Sequence, residues 1–353
     1  MTKKVTMQQI ADHLGVSKYV VSKALSGKKG VSGATKERVI QVASQLGYFA
    51  QSSGYMKPIK TGRDEEALQE SDIKQSVLVL MPNIRFQTRD SVYWGRILDG
   101  ISARLEAKGI GMVIVMEQNV ESFMHLLKPE GILGMIGVGE IASNMLLEIH
   151  RLGVPMILVD HEDPLIPSDT VFVNNYDCMY RLTKHLIGIG HRNIGFIGND
   201  RYSRSFFDRF NGFRHALEEF ELWDKHEQLT ALENMERYDE PIKAWLLRRK
   251  KLRALPTAVV CANDSIAIDA SRAIRELGLD VPSDISVTGF DNIDDAIRHS
   301  PPLTTVNVPK ETLGSRAVDK LLERIGRPKE PLEKLFIVGE MMYRPSIATV
   351  AKS

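Results

Sequence analysis

The chain has 353 residues, with 46 Lys/Arg against 45 Asp/Glu, 43% hydrophobic and 26% charged residues. That is the composition of a globular protein with room for two or three domains; no apolar run is long enough to span a bilayer, and Lys3-Lys4 lead into no apolar stretch of the kind a secretory signal carries. Two cysteines, Cys178 and Cys261, exclude a disulfide framework and suit a reducing, cytoplasmic setting, and the nine scattered histidines give no metal-site spacing.

The near-zero net charge hides a segregation. Residues 1–60 hold ten Lys/Arg and two acids, which leaves 36 and 43 for the remainder, so a head of +8 is joined to a body of −7. A basic module on an acidic body is the electrostatic footprint of nucleic-acid binding.

The head begins with Thr6 as a helix N-cap and Gln9 three residues on, a capping box. Ile10, Ala11 and Leu14 then recur at helical spacing, and Gly15 tolerates the left-handed backbone that ends a helix. Ser17 caps a second helix, 18–25, which turns Val20, Val21, Ala24 and Leu25 inward. Lys18, Tyr19, Ser22 and Lys23 face outward, a polar and basic surface suited to base edges and phosphates in double-stranded DNA. A third amphipathic helix, 35–46, starts from Ser32 or Thr35 and closes at Gly47. The competing reading, a helical bundle with merely solvated lysines, does not explain the charge segregation.

From residue 49 the sustained apolar face is lost. Gly54, Pro58, Gly62 and Arg63-Asp64-Glu65-Glu66 read as a connector. The expected division is a helix-turn-helix head over 1–60, a linker over 61–75 and a body over 76–353.

In the body, strands are expected at 77–81, 111–116, 131–137 and 155–160, alternating with helices at 91–108, 120–128 and 142–152. The pattern then restarts: helices at 176–189, 205–220, 265–277 and 309–324, strands at 193–198, 258–262 and 285–290. Alternation of this kind implies mostly parallel sheets covered by helices. Two consecutive α/β units of similar size suggest two lobes with a cleft between them. Ligands of open α/β sheets sit beyond the carboxyl ends of the strands, which here carry Asn83, Asp160, Asn199, Asn263-Asp264 and Asp291-Asn292, groups suited to a hydroxyl-rich ligand.

Across nearly its whole length the chain resembles the lac-repressor-like (LacI/GalR) family of bacterial transcription regulators. The likeness rests on Val5-Thr6-Met7, Ile10-Ala11, Gly15-Val16-Ser17, Val21-Ser22 and Val31-Ser32 in the head. In the body it rests on Gly190-His191-Arg192-Asn193-Ile194-Gly195-Phe196-Ile197, Arg209 with Gly212-Phe213, Ala262-Asn263-Asp264, Ile285 to Asp291, and Pro301-Pro302-Leu303-Thr304-Thr305-Val306. The resemblance implies a two-lobe, periplasmic-binding-protein-like effector domain behind an all-α DNA-binding head, a homodimer, a palindromic operator, and a sugar or sugar derivative as effector, with no cofactor. It places Lys18, Tyr19 and Lys23 on base edges, Ser17, Ser22 and Ser32 on phosphates, and Arg209, Asn263, Asp291 and Asp160 on ligand hydroxyls. Asp291 has a competing role as a helix cap, and Asn263 as a turn residue. Tyr93 and Trp94 match the family's aromatic pair, and either stacks on a ligand or packs the lobe. Arg201 and Arg204 precede the helix that bears Arg209 and are candidates for a phosphate or carboxylate.

Family members also carry a hinge helix whose leucine wedges into the minor groove. Here the segment from Tyr48 to Met56 lacks the usual proline and carries Gly54, and the leucine's place falls near Met56 or Lys57. Looser coupling is expected, with Met56 or Tyr55 as substitute. An enzyme is not expected, since no phosphate-binding glycine loop follows a strand and no Ser/His/Asp set is apparent. A solute-binding protein would need export. Co-repression by a phosphorylated metabolite or a partner protein remains the alternative to induction. The tail, 341–353, has no leucine heptad of the kind that assembles tetramers.

Overall fold

An unbroken apolar run such as Val77-Leu78-Val79-Leu80 needs cover on both of its faces. In the computed structural model, which describes residues 6–25, 35, 38, 39, 42, 75–84, 87–118, 131–223, 228–230, 232 and 238–350, it has that cover. Val77 and Val79 enter one apolar cluster, Leu78 and Leu80 another on the opposite face.

The chain divides into two compact units, 1–72 and 73–353. In the first, helices α1 (Met7–Leu14) and α2 (Lys18–Leu25) are joined by a short turn. The capping box is present: Gln9 N donates to Thr6 Oγ1 at 3.3 Å, and Thr6 N donates to Gln9 Oε1 at 2.8 Å. Gly15 ends α1 at φ 66°, and Ser17 Oγ accepts from Val20 N at 3.3 Å. Ile10, Ala11 and Val21 are buried together with Val39, and residues 35, 38, 39 and 42 are helical.

The second unit holds two lobes. The first lobe is a six-stranded, all-parallel sheet in the order β10-β5-β4-β3-β1-β2. Its strands are β1 (Ser76–Leu80), β2 (Gly111–Val115), β3 (Ile132–Val138), β4 (Met156–Val159), β5 (Asp169–Val173) and β10 (Lys334–Ile337). Helices α3 (Trp94–Ala107) and α10 (Lys310–Gly326) pack against each other, and Met145, Leu146 and Ile149 of α4 (Ser143–Arg151) join the second cluster. The second lobe is a parallel sheet β6-β7-β8 (Ile194–Ile197, Ala258–Cys261, Ser286–Thr288). Around it lie α5 (Asn175–Gly188) packed on α6 (Arg204–Glu219), α7 (Asp239–Lys251) on α8 (Asp264–Glu276), and short α9 (Asp294–Arg298). Strands β9 (Thr305–Asn307) and β11 (Glu340–Met342) pair antiparallel where the chain passes between the lobes.

The lobes are therefore not consecutive, as the sequence pattern suggested. The chain leaves the first lobe after β5, returns to it with α10 and β10, and leaves again through β11. The reason is local packing: a Cβ at Gly100 of α3 would meet Glu311 O at 2.1 Å, and one at Gly314 of α10 would meet Ile97 O at 2.1 Å. Two bare backbones thus lock a late helix onto an early one. Helix α3 begins at Trp94, three residues later than expected, because Ser91 Oγ accepts from both Tyr93 N and Trp94 N at 3.3 Å. Strand β5 and helix α7 were not expected. The helix expected at 120–128, most of the third head helix, Ser32, Tyr55 and Met56 lie outside the described residues.

Candidate functional site

On the head, α2 presents Lys18, Tyr19 and Ser22 to solvent, while Lys23 is half-buried with Nζ 5.2 Å from the Tyr19 ring centre. Tyr19 is 68% exposed, so its ring and hydroxyl are free to meet a partner on this face. Val21 is buried as expected, whereas Val20 is only half-buried. Thr6 and Ser17 are exposed and act as helix caps, which leaves their hydroxyls at helix N-termini, where phosphates bind.

In the second unit, strand ends and helix starts of both lobes converge on a cavity of about 440 Å³. Asp160 follows β4, and Tyr93 and Trp94 open α3; Ser205 and Arg209 lie on the first turns of α6, Asn263 caps α8, and Asp291 follows β8. All six predicted effector residues, Tyr93, Trp94, Asp160, Arg209, Asn263 and Asp291, line this one cavity.

Arg209 organises it. Nε donates to Asn175 Oδ1 at 2.8 Å, Nη1 to Ala262 O at 2.8 Å and Nη2 to Asp291 Oδ1 at 3.0 Å. Its guanidinium lies 3.8 Å from the Phe290 ring centre. Asn175 Nδ2 reaches Ser205 Oγ at 3.0 Å, and Ser205 Oγ donates in turn to Asp160 across the cleft. Burial pushes the Asp160 carboxyl up to about 6, against the Ser205 hydrogen bond and the Arg209 charge, which pull it down. Burial likewise raises Asp291, with Arg209 and Lys310 opposing. Both aspartates sit on left-handed backbone, at φ 55° for Asp160 and 107° for Asp291. Strain of that kind costs about 1–3 kcal/mol per residue and clusters where side chains must be aimed.

Asn263 serves both readings: its Oδ1 caps α8 by accepting from Ile266 N at 2.9 Å, and the residue lines the cavity. Tyr93 and Trp94 pack edge to face, with centroids 4.9 Å apart. Among the described residues no group lies within hydrogen-bond distance of the buried Tyr93 hydroxyl, and burial near Asp160 and Asp291 raises its pKa well above the usual value, with the nearby Arg209 guanidinium opposing.

Arg204 is not left to read an anion. It binds Asp208 at 2.8 Å and reaches Glu162 of the other lobe, which also takes Lys334. Arg201 lines the cavity, and its side chain has no partner among the described residues. Sequence reasoning missed Asn175, Ser205 and Glu162. Asn175 and Ser205 on helix first turns and Glu162 in a loop carry no local mark; only the fold links the first two to Arg209 and the third to Arg204. Among the described residues no cluster of His, Cys, Asp and Glu could hold a metal, and no helix is long and apolar enough to cross a membrane.

With this geometry in view, likenesses to known proteins fall into place. Residues 6–51 match the model of bacterial regulatory proteins of the lacI family, and residues 183–347 a periplasmic-binding-protein-like domain. The chain is 30% identical over 355 residues to the HTH-type transcriptional repressor PurR of Glaesserella parasuis, covering 97% of this chain and 98% of the relative. It is 28% identical over 351 residues to the ribose operon repressor of Haemophilus influenzae, again at 97% and 98% coverage. In fold it is similar to a CelR–cellobiose complex (TM-score 0.68, 22% identity, 97% and 99% coverage). It is also similar to the lac repressor dimer bound to operator and an anti-inducer (TM-score 0.65, 23% identity, 98% and 100% coverage). Helix-turn-helix head, two-lobe body and full-length relatives agree: the chain belongs to the lacI family of bacterial regulatory proteins.

Proposed function

We propose that this DNA-binding repressor, controlled by a small metabolite, takes a hydroxyl-rich effector, a sugar or sugar derivative, into the cavity between its lobes. One observation carries the reading. Two carboxylates from opposite lobes, Asp160 and Asp291, are aimed into one cavity on strained backbone and linked by Ser205, Asn175 and Arg209. Ionised carboxylates accept two hydrogen bonds each from neighbouring hydroxyls, and a ligand that engages both favours one relative setting of the lobes. Tyr93 and Trp94 supply an apolar wall with one buried hydroxyl that has no partner within bonding distance among the described residues. Effector binding and DNA binding are then coupled by about 1–3 kcal/mol, roughly five- to 150-fold in affinity.

The head reads the major groove through Lys18, Tyr19 and Lys23, with Thr6, Ser17 and Ser22 on the backbone of the duplex. Two heads of a homodimer grip an inverted repeat. No cofactor and no turnover enter this reading. The relative named a ribose operon repressor and the cellobiose-bound neighbour support a small polar ligand without choosing one. A phosphorylated effector is the second reading, favoured by Arg201 at the cavity, whose side chain has no partner among the described residues.

The test is a thermal-shift and calorimetric panel of ribose, cellobiose, glucose and glucose 6-phosphate on the full chain. A ligand bound at 100 times its Kd raises stability by about 2.7 kcal/mol. Binding abolished by Asp291→Asn supports the site; binding indifferent to Asp160 and Asp291 substitutions excludes it.

A further inference from the structure

Lys310 occupies a place that suits neither its charge nor its length. It opens α10, where aligned peptide dipoles make a helix end positive, and it is only 3% exposed. Burial drives its ammonium toward the neutral form, with Asp291 chief among the groups that oppose this. It is absent from the lining of the cavity, yet it touches two residues that line it. Nζ donates to the backbone carbonyl of Asp291 and lies 5.8 Å from the centre of the Tyr93 ring, with Val308 O at 3.4 Å. Helix α10 belongs to the first lobe, and Asp291 follows a strand of the second. The bond therefore crosses between lobes at a point where the chain also crosses, and it ends on the carbonyl of a residue whose φ is 107°.

A buried charge of this kind is a poor means of stabilising a fold, since a well-packed apolar residue in its place is often neutral or better. What the ammonium does supply is direction. It fixes the carbonyl of a strained residue, and thereby the aim of its carboxylate, while it holds the aromatic face opposite. We propose that Lys310 is a positioning residue for the effector: it sets Asp291 and Tyr93, which come from different lobes, in the mutual geometry that binds the ligand. The proposal rests on the reading of the cleft as the effector site.

The titratable and charged groups about Lys310 are Asp291 and Asp264 of the second lobe, Tyr93 and Arg96 at the start of α3, and Glu311 beside it on α10. Asp291 in turn faces Arg209. Removal of the lysine charge leaves Asp291 with Arg209 alone against burial, so its carboxyl rises further. Ligand hydroxyls donate more strongly to the ionised form. The acid limb of the affinity profile then moves to higher pH, an effect that loss of packing alone does not produce.

The experiment titrates full-length protein with ribose, cellobiose, glucose and glucose 6-phosphate between pH 5 and 8, for the unaltered chain, Lys310→Met and Lys310→Gln. Loss of one charge-assisted hydrogen bond corresponds to affinity weakened by about ten- to 100-fold. That loss is expected in Lys310→Met at little change in melting temperature, together with the displaced acid limb. Lys310→Gln keeps a donor for the carbonyl without the charge. It decides the matter if Lys310→Met does not fold, with weaker binding and the same displacement expected. Variants that bind the same ligand as tightly as the unaltered chain, with an unmoved pH profile, overturn the proposal and leave the cleft reading intact. If no member of the panel binds the unaltered chain, the cleft reading fails and the role of Lys310 fails with it.

Discussion

Arg209 and Asp291 meet at 3.0 Å with only 3% and 13% of their side chains exposed, so one of the main contacts at the cavity is a desolvated ion pair. Pairs of this kind return little net stability, because both charges lose their water. They are asymmetric, however. Loss of one partner leaves the other buried without compensation.

That asymmetry gives a first prediction. Asp291→Ala strands the Arg209 guanidinium and lowers unfolding free energy by about 3–5 kcal/mol. Asp291→Asn keeps an acceptor for Arg209 Nη2 and loses less, while it weakens the effector. Urea unfolding of the two variants checks the order; equal stability of Asp291→Ala and the unaltered chain contradicts it.

Asp264 gives a second, in pH. It is buried, accepts from Thr305 Oγ1 at 2.6 Å and from Ile293 N at 2.9 Å, and burial beside Asp291 pushes it up to about 7. Its folded pKa lies above the unfolded one, about 3.9. The folded state therefore holds the extra proton, and stability from this group is full below about pH 4 and is lost as pH rises through about 7. Asp264→Asn mimics the neutral form and removes this dependence. Relative to that variant, the unaltered chain loses on the order of a few kcal/mol between pH 4 and 7. Parallel stability profiles rule the account out.

The crossing of α3 and α10 gives a third. Gly314→Ala puts a methyl group where Ile97 O lies 2.1 Å away, and backbone cannot rotate aside. Overpacking of this sort costs about 1–3 kcal/mol or more. Gly278→Ala, at φ 71° in open space, is a control for backbone strain without a clash. Melting temperatures of the two variants should separate, with Gly314→Ala the lower; a Gly314→Ala variant as stable as the unaltered chain argues against the tight crossing.

These examples show where the sequence is informative and where it is not. Strand β1 and helix α8 are legible because burial writes itself locally, as an unbroken apolar run or as Ile266, Ala267, Ala270 and Ile274 on one face. The cavity aspartates, Asp160 and Asp291, are legible because they follow strands. Strand β5 is disguised by its first residue: Asp169 is fully buried and balanced by Arg324, 155 residues distant, at 2.6 and 3.0 Å. Helix α7 carries Pro241 in its first turn and a basic tail, tolerable in a helix but silent as periodicity. The interleaving of the lobes depends on Gly100 meeting α10 and on β10 joining β5, contacts no window of sequence contains.

The head supplies a fourth prediction. Each lysine that neutralises a phosphate adds about 0.9 to the slope of log K against log salt. Lys18→Ala and Lys23→Ala should weaken operator binding. A variant that keeps the slope and relaxes one base pair has lost a base contact, and one that lowers the slope and keeps specificity has lost a phosphate contact. Fluorescence anisotropy over a salt series, on operator and single-base variants, distinguishes these; no change in either quantity contradicts an α2 reading face.

The most direct test of the whole account is anisotropy of the full chain on inverted-repeat duplexes selected from a random pool, with and without the sugar that gives the largest thermal shift. The account predicts tight, salt-dependent binding to a palindromic site, changed by the ligand about five- to 150-fold in the unaltered chain and unchanged in Asp160→Asn/Asp291→Asn. Binding without preference for any inverted repeat, or selective binding that the ligand shifts equally in the double variant, would contradict it.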